Sequence, residues 1–176
     1  ASGIVQAQTL RWASQGDPQT MDPHSQNEQL TNAMNGQVYE FLIGRDRKLE
    51  LVPQLATEWK QTSPLQWRMK LRPNVKFQDG TPFTADDVVF SINRAKLPTS
   101  QIAVYANAVG EVKKIDDLTV EFNLSQVNPI FLQHINTLNI MSKAWCEKHN
   151  VTKPLDFKNK EESYAAYNAN GTGPYM

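Results

Sequence analysis

The chain has 176 residues, 40% of them apolar and 20% charged, with Lys plus Arg and Asp plus Glu at 18 each. Enough apolar surface is present to bury a core, which argues against intrinsic disorder, and a zero net charge without a basic stripe argues against a nucleic-acid binder. The longest apolar run, Ile102 to Ala106, is far short of the ~20 residues a membrane-spanning helix needs, and Cys146, the single cysteine, cannot form an internal disulfide.

Along the chain, Val5-Gln6-Ala7 has the small-x-small character that precedes a signal-peptidase cut, and Ala1 to Gln8 reads equally well as a cloning remnant. Thr9 to Ser14 alternates apolar and polar residues and breaks at Gly16-Asp17-Pro18, which predicts a strand entering a loop. Leu30, Met34, Val38 and Phe41 repeat at helical spacing with Leu42 beside the last, predicting a helix that ends at Gly44. From Ala56 the period falls to two. Trp67, Met69 and Leu71 alternate with Arg68, Lys70 and Arg72, Val75 and Phe77 follow, and Asp79-Gly80 supplies a turn; Val120, Phe122 and Leu124 repeat the alternation after Asp116-Asp117. A meander of short antiparallel strands is predicted.

Thr84 opens the best-marked helix. Its hydroxyl is placed to cap the amide of Asp87, Phe83 and Val88 occupy staple positions, and Asp86 and Asp87 suit the positive end of the helix dipole. A second helix is predicted from Asn128-Pro129 through Ile135, and two more around Lys143 to His149 and Glu161 to Ala169. Asn170-Gly171-Thr172-Gly173-Pro174 is a loop, and Tyr175-Met176 reads as the start of another strand, so the chain is expected to be a piece of a longer protein.

Three stretches, in this order, resemble extracellular solute-binding proteins of family 5, which serve oligopeptide, dipeptide and nickel ABC importers. They are Met21-Asp22-Pro23-His24 with the following Val38-Tyr39-Glu40-Phe41-Leu42; LVPQLATEW at 51–59 with WRMKLRPNVKFQDGTPFTADDV at 67–88; and Asn170 to Tyr175. The resemblance implies a mixed α/β (α+β) fold of the two-lobed, periplasmic-binding-protein-like type II kind, of which this chain is roughly the first third. On that mapping residues 1–44 and 169–176 are parts of the large ligand-binding lobe, 45–168 is an appended subdomain, and the second lobe lies outside the chain. It also implies capture of a peptide or similar small solute outside the cytoplasmic membrane, in the periplasm or on a lipid anchor, a signal peptide already removed, and an ABC permease as partner.

The same resemblance implies ligand contacts at Gln26, Asn27, Glu28 and Gln29, whose backbone would pair with an extended ligand as an added strand, and at Tyr105, Asn139, Ile140 and Met141. Bland readings stand beside these. Tyr105 and Met141 also read as core residues, and Asn27 and Glu28 also read as helix caps. Trp59, Trp67, Leu71, Val75, Phe77 and Phe83 read as the core of the meander rather than as ligand contacts.

No cofactor, metal or catalytic residue is expected. Cys146 and His149 form a C-x-x-H pair that cannot by itself complete a tetrahedral zinc site, and His24 and His134 fall in other elements. Asp86 and Asp87 are adjacent on a helix and so point about 100° apart, which suits helix-start chemistry better than one reaction centre. A free-standing interaction or chaperone-like module of the same fold is the runner-up, and a glycan hydrolase using Glu161 or Glu162 a distant third.

Overall fold

The structure is a computed structural model that describes residues 16–175; the strand expected at Thr9 to Ser14, the first residues of the chain and Met176 lie outside the described residues. Helix α1, Gln29–Val38, is capped by Glu28, whose carboxylate accepts from the amides of Leu30 (2.8 Å) and Thr31 (2.9 Å). It ends at Val38, six residues before the expected stop. Tyr39 is extended (φ −106°, ψ 145°), and the carbonyls that would carry the helix onward are claimed elsewhere: Val38 O by Gly173 N at 2.8 Å, Phe41 O by Leu55 N and Leu42 O by Ala56 N. Gly44 therefore sits in a strand, β1 (Ile43–Arg45), which pairs antiparallel with β2 (Leu51–Pro53).

Within the expected strand region, β3 (Ala56–Ser63) and β4 (Gln66–Leu71) pair as an antiparallel hairpin, with Trp59 opposite Met69. The chain then leaves the sheet through helices α2 (Ala85–Ala95) and α3 (Ala103–Ala108) and returns as the hairpin β5 (Glu111–Asp116) and β6 (Thr119–Asn123). Because β6 docks on β4, the order is β3-β4-β6-β5, all antiparallel, and not a simple meander. Val75 and Phe77 belong to no strand; a single bridge, Lys76 to Pro82, closes the loop around Asp79-Gly80, with Gly80 at φ +85°. The outer face of the sheet carries cross-strand charges such as Arg68–Glu121 at 2.7 Å. On the inner face Met69, Leu71, Val120 and Phe122 meet Val88, Ile92 and Ala95 of α2 in one apolar core.

The α2 cap forms at Thr84 as the sequence predicts, but its hydroxyl takes the amide of Asp86 rather than that of Asp87. Asp87 Oδ2 accepts from the Thr84 amide at 2.8 Å, Thr84 Oγ1 accepts from the Asp86 amide at 3.3 Å, and Phe83 and Val88 are both buried. Losing such a cap costs about 1 kcal/mol, so Thr84→Ala is expected to lower the unfolding free energy by that amount, read as a lower urea midpoint at unchanged slope. Helix α4 (Phe131–Ile135) starts two residues later than expected, after a turn in which Asn128 Oδ1 accepts from Ile130 N, and lays Phe131 on Trp67 with ring centroids 5.0 Å apart. Helix α5 (Lys143–Lys148) lies where the sequence puts it. Only one 3-10 turn, Tyr164–Ala166, replaces the helix expected at 161–169; Tyr164 is drawn onto His149, the two rings parallel within 3° and 4.2 Å apart. Helix α3 has no counterpart in the sequence reading.

Candidate functional site

The Met21-Asp22-Pro23-His24 loop is held by a buried ion pair. Asp22 and Arg94 both have fully buried side chains; Arg94 Nη1 and Nη2 donate to the two carboxylate oxygens at 2.8 and 2.7 Å. Asp22 also accepts from the amides of His24 (3.1 Å) and Leu155 (3.1 Å), while Arg94 gives two further donors to the carbonyls of Val151 (3.0 Å) and Lys153 (2.8 Å). Every strong polar group of the pair thus has a partner, the condition under which a buried ion pair is tolerated. The network joins four stretches of sequence: the 22–24 loop, α2, the segment after α5 and, through His24, residue 139.

His24 is wholly buried. Its Nδ1 lies 3.1 Å from Arg94 Nη1, which can only donate, so Nδ1 accepts; Nε2, 3.0 Å from the Asn139 carbonyl, must carry the proton. The ring is therefore neutral, the Nε2–H tautomer. Burial, reinforced by the Arg94 charge, pulls its pKa from 6.5 down to about 4. Burial pushes the Asp22 carboxyl up, but Arg94's charge and hydrogen bonds outweigh this and hold it below the usual carboxylate range. Both groups are depressed in the fold, so the unfolded chain takes up protons first as the pH falls. The stability they contribute is complete above about pH 6.5 and is lost first through His24, between the 6.5 and 4 of its two states, then through Asp22 below 3.8. A thermal melt series is expected to show Tm falling steadily from pH 7 to pH 4, and a flat series would contradict this assignment.

Beside this network a cleft of about 210 Å³ is lined by Pro23, Asn27, Asn32, Phe41, Ile102, Tyr105, Asn136, Thr137 and Asn139. None of these is charged. Its polar groups are amides and hydroxyls, suited to neutral hydrogen bonds with a ligand's own amides or carbonyls. Asn27 Oδ1 accepts from Asn32 Nδ2 at 3.1 Å, and Asn136 is fixed between the Ile43 carbonyl (2.8 Å) and Arg45 Nε (3.0 Å). Asn139 is 7% exposed, and its Nδ2 is buried without a hydrogen-bond partner.

Of the eight ligand positions implied by the sequence, Asn27, Tyr105 and Asn139 line this cleft. Gln26 turns to Gln19, its Nε2 donating at 2.9 Å; Glu28 spends its carboxylate on the α1 cap, as its bland reading has it; and Gln29 is exposed at the start of α1. The side chains of Ile140 and Met141 are 0% exposed and lie in the two apolar clusters, and the Met141 backbone is clasped by Ser91, its amide donating to Oγ at 2.9 Å. Pro23, Asn32, Phe41, Ile102, Asn136 and Thr137 were not foreseen as cleft residues, nor was Arg94 as the partner of Asp22. The signal for Arg94 lies in the helix period: Asp87, Ser91 and Arg94 follow one another at i, i+4 and i+7, along the stripe that Val88, Ile92 and Ala95 bury. Cys146 is buried and its thiol is pushed up to about 12 by that burial, which leaves it unreactive. Among the described residues no group of three or more His, Cys, Asp or Glu side chains is placed to hold a metal ion, and no helix is long and apolar enough to cross a membrane.

Two of the resembling stretches are pressed together. Gln78 N donates to the Gly171 carbonyl at 3.0 Å, Gln78 Oε1 accepts from Gly171 N at 3.2 Å, and Asn170 Oδ1 accepts from Asp79 N at 3.1 Å. The 170–174 loop also lies against the end of α1, so that its first glycine has the Val38 backbone where a side chain would be.

Comparison with known proteins agrees with this architecture. The chain is 32% identical over 163 residues to the glutathione-binding protein GsiB of Escherichia coli K12, a match that covers 89% of this chain and 29% of that protein. Among solved structures it is similar to NikZ of Campylobacter jejuni in complex with Ni(L-His) (TM-score 0.76, 27% identity, 92% of this chain and 31% of that one). It is similar also to the oligopeptide-binding protein AppA of Bacillus subtilis in complex with a nonapeptide (TM-score 0.75, 25% identity, 93% and 32%). The chain spans under a third of the length of these relatives, and the fold is a partial periplasmic-binding-protein type II fold of mixed α and β structure. Residues 50–176 match the family described as bacterial extracellular solute-binding proteins, family 5 (middle). With well over half its length inside that match, the chain belongs to the family 5 solute-binding proteins.

Proposed function

We propose that this chain is the N-terminal portion of the substrate-binding component of an ABC importer, which captures a peptide or similar small solute outside the cytoplasmic membrane and hands it to a permease. The observation that carries the reading is the convergence of Asn27, Tyr105 and Asn139, from three separate stretches of sequence, on one uncharged cleft. Amide and hydroxyl groups there suit a ligand recognised through its backbone rather than its side chains. Residues 1–44 and 169–176 belong to the larger ligand-binding lobe and 45–168 to an appended subdomain; the remaining chain supplies the opposing lobe. Gln26, Glu28, Gln29, Ile140 and Met141 serve by backbone contact or by shaping the cleft wall. The protein works by binding and release, without catalysis, in the periplasm or on a lipid anchor.

A thermal-shift screen of the full-length protein with di- to pentapeptides, glutathione, chelated nickel and sugars tests this. A ligand at 100 times its dissociation constant adds ~2.7 kcal/mol of stability, and failure of every small solute to shift the melt would count against a receptor. A clamshell site buries roughly 70–90% of its ligand between two walls. Residues 1–176 alone present one wall, so calorimetric titration of that chain with any hit from the screen is expected to show no binding at micromolar concentration.

A further inference from the structure

His24 touches three of the four stretches that wall the cleft, all but the one that carries Phe41. Its own loop supplies Pro23 and Asn27; its Nε2–H donates to the Asn139 carbonyl at 3.0 Å; and its backbone carbonyl accepts from Gln101 N at 3.0 Å, immediately before the Ile102 and Tyr105 that form the third wall. No other residue among those described makes hydrogen bonds to both the 139 and the 101 segments while standing next to a lining residue of the first. We propose that neutral His24 is the positioning residue of the cleft, the joint that holds these three walls in register, and that protonation of its ring lets them part.

The geometry gives the reason. A second ring proton would sit on Nδ1, 3.1 Å from Arg94 Nη1, setting donor against donor and cation against cation in a buried pocket where Asp22 is the one counter-charge among the described residues. The groups facing the ring are few. Arg94 comes from α2 and Asp22 from the ring's own loop. One layer out, Tyr39 at the end of α1 and Cys146 of α5 act on that pair, both neutral through this range because burial raises them. The 139 segment presents a carbonyl already taken by the Nε2–H, and the 151–155 segment presents two carbonyls to Arg94 and an amide to Asp22, which leaves none for a second imidazole proton. Among the described residues only Asp22 favours the added charge, and it is already paired with Arg94, so between about pH 4 and pH 6.5 the charged ring is more stable outside the pocket than in it. A wholly buried ring leaves only if the 22–24 backbone moves with it, and that movement frees the Asn139 carbonyl from Nε2 and Gln101 N from the His24 carbonyl.

The consequence for a ligand rests on the cleft being the binding face, but the joint itself is read without one. Amide hydrogen exchange of the full-length protein, expressed as protection factors, reports opening at Gln101 directly, with Met69 in the central strand β4 reporting global unfolding. A ring held at about 4 when closed and near its ordinary value when released favours opening by about 10² more at pH 4.5 than at pH 7.5. The Gln101 protection factor is therefore expected to fall about 100-fold over that range, to lie below that of Met69 throughout, and to stay constant within a few-fold in His24→Gln. Three results would each overturn the proposal: protection at Gln101 independent of pH, protection equal to that of Met69 at every pH, or an equal fall in His24→Gln. The first two are decided on the wild-type protein, should the variant not fold. Failure of every solute in the thermal screen would remove the receptor reading and leave this result standing.

Discussion

Arg94→Ala is expected to cost about 3–5 kcal/mol of folding free energy, the usual price of stranding one member of a buried ion pair. The Asp22 carboxylate would keep the amides of His24 and Leu155 but lose both guanidinium contacts, at 2.8 and 2.7 Å, and the carbonyls of Val151 and Lys153 would lose their donors. Urea unfolding followed by circular dichroism measures it. The double variant Asp22→Leu, Arg94→Met is expected to recover part of the loss, because a well-packed apolar pair can replace a buried ionic one nearly without cost. A single-variant loss under about 1 kcal/mol, the value of an exposed pair, would mean that water reaches the site and that the loop is not held as described.

Gly171→Ala has the second-largest expected effect. A Cβ at this position would stand 1.9 Å from the Val38 carbonyl oxygen and 2.7 Å from its carbon. Both are backbone atoms at the end of α1 and cannot swing aside, so the loop must lift. Lifting it breaks the bonds of Gly171 to Gln78 and of Gly173 to Val38. A loss of about 3 kcal/mol is expected, at the upper end for overpacking. Gly36→Ala is the control: it lies within α1 with nothing inside 4 Å of its added carbon, and the exposed helical site should gain about 0.5–1 kcal/mol. If both glycines respond alike, the contact between the loop and α1 is not the constraint acting on Gly171.

What could be read from the sequence was what local chemistry determines. The α2 cap needs only Thr84 and Asp87 three residues apart, and β4 needs only the alternation of Trp67, Met69 and Leu71. Elements set by distant partners were misread. Helix α1 stops at Val38 because residue 173 takes its carbonyl, and the 161–169 segment stays unwound because Tyr164 stacks on His149; neither partner is visible in the segment itself. The site followed the same rule. Asn27, Tyr105 and Asn139 reached the cleft through the family resemblance, whereas the motif residues Asp22 and His24 proved to be buried fastenings rather than ligand contacts. An Arg on a buried helical stripe was the one long-range clue that the sequence did contain, since such a charge must find a carboxylate.

The measurement that bears most directly on the cleft is a crystal structure of the full-length protein with a solute retained from the thermal screen. The account predicts ligand atoms within hydrogen-bonding or contact distance of Asn27, Tyr105 and Asn139, with His24 still joined to Asn139. A ligand seated against another surface, with those three side chains facing solvent alone, would contradict it.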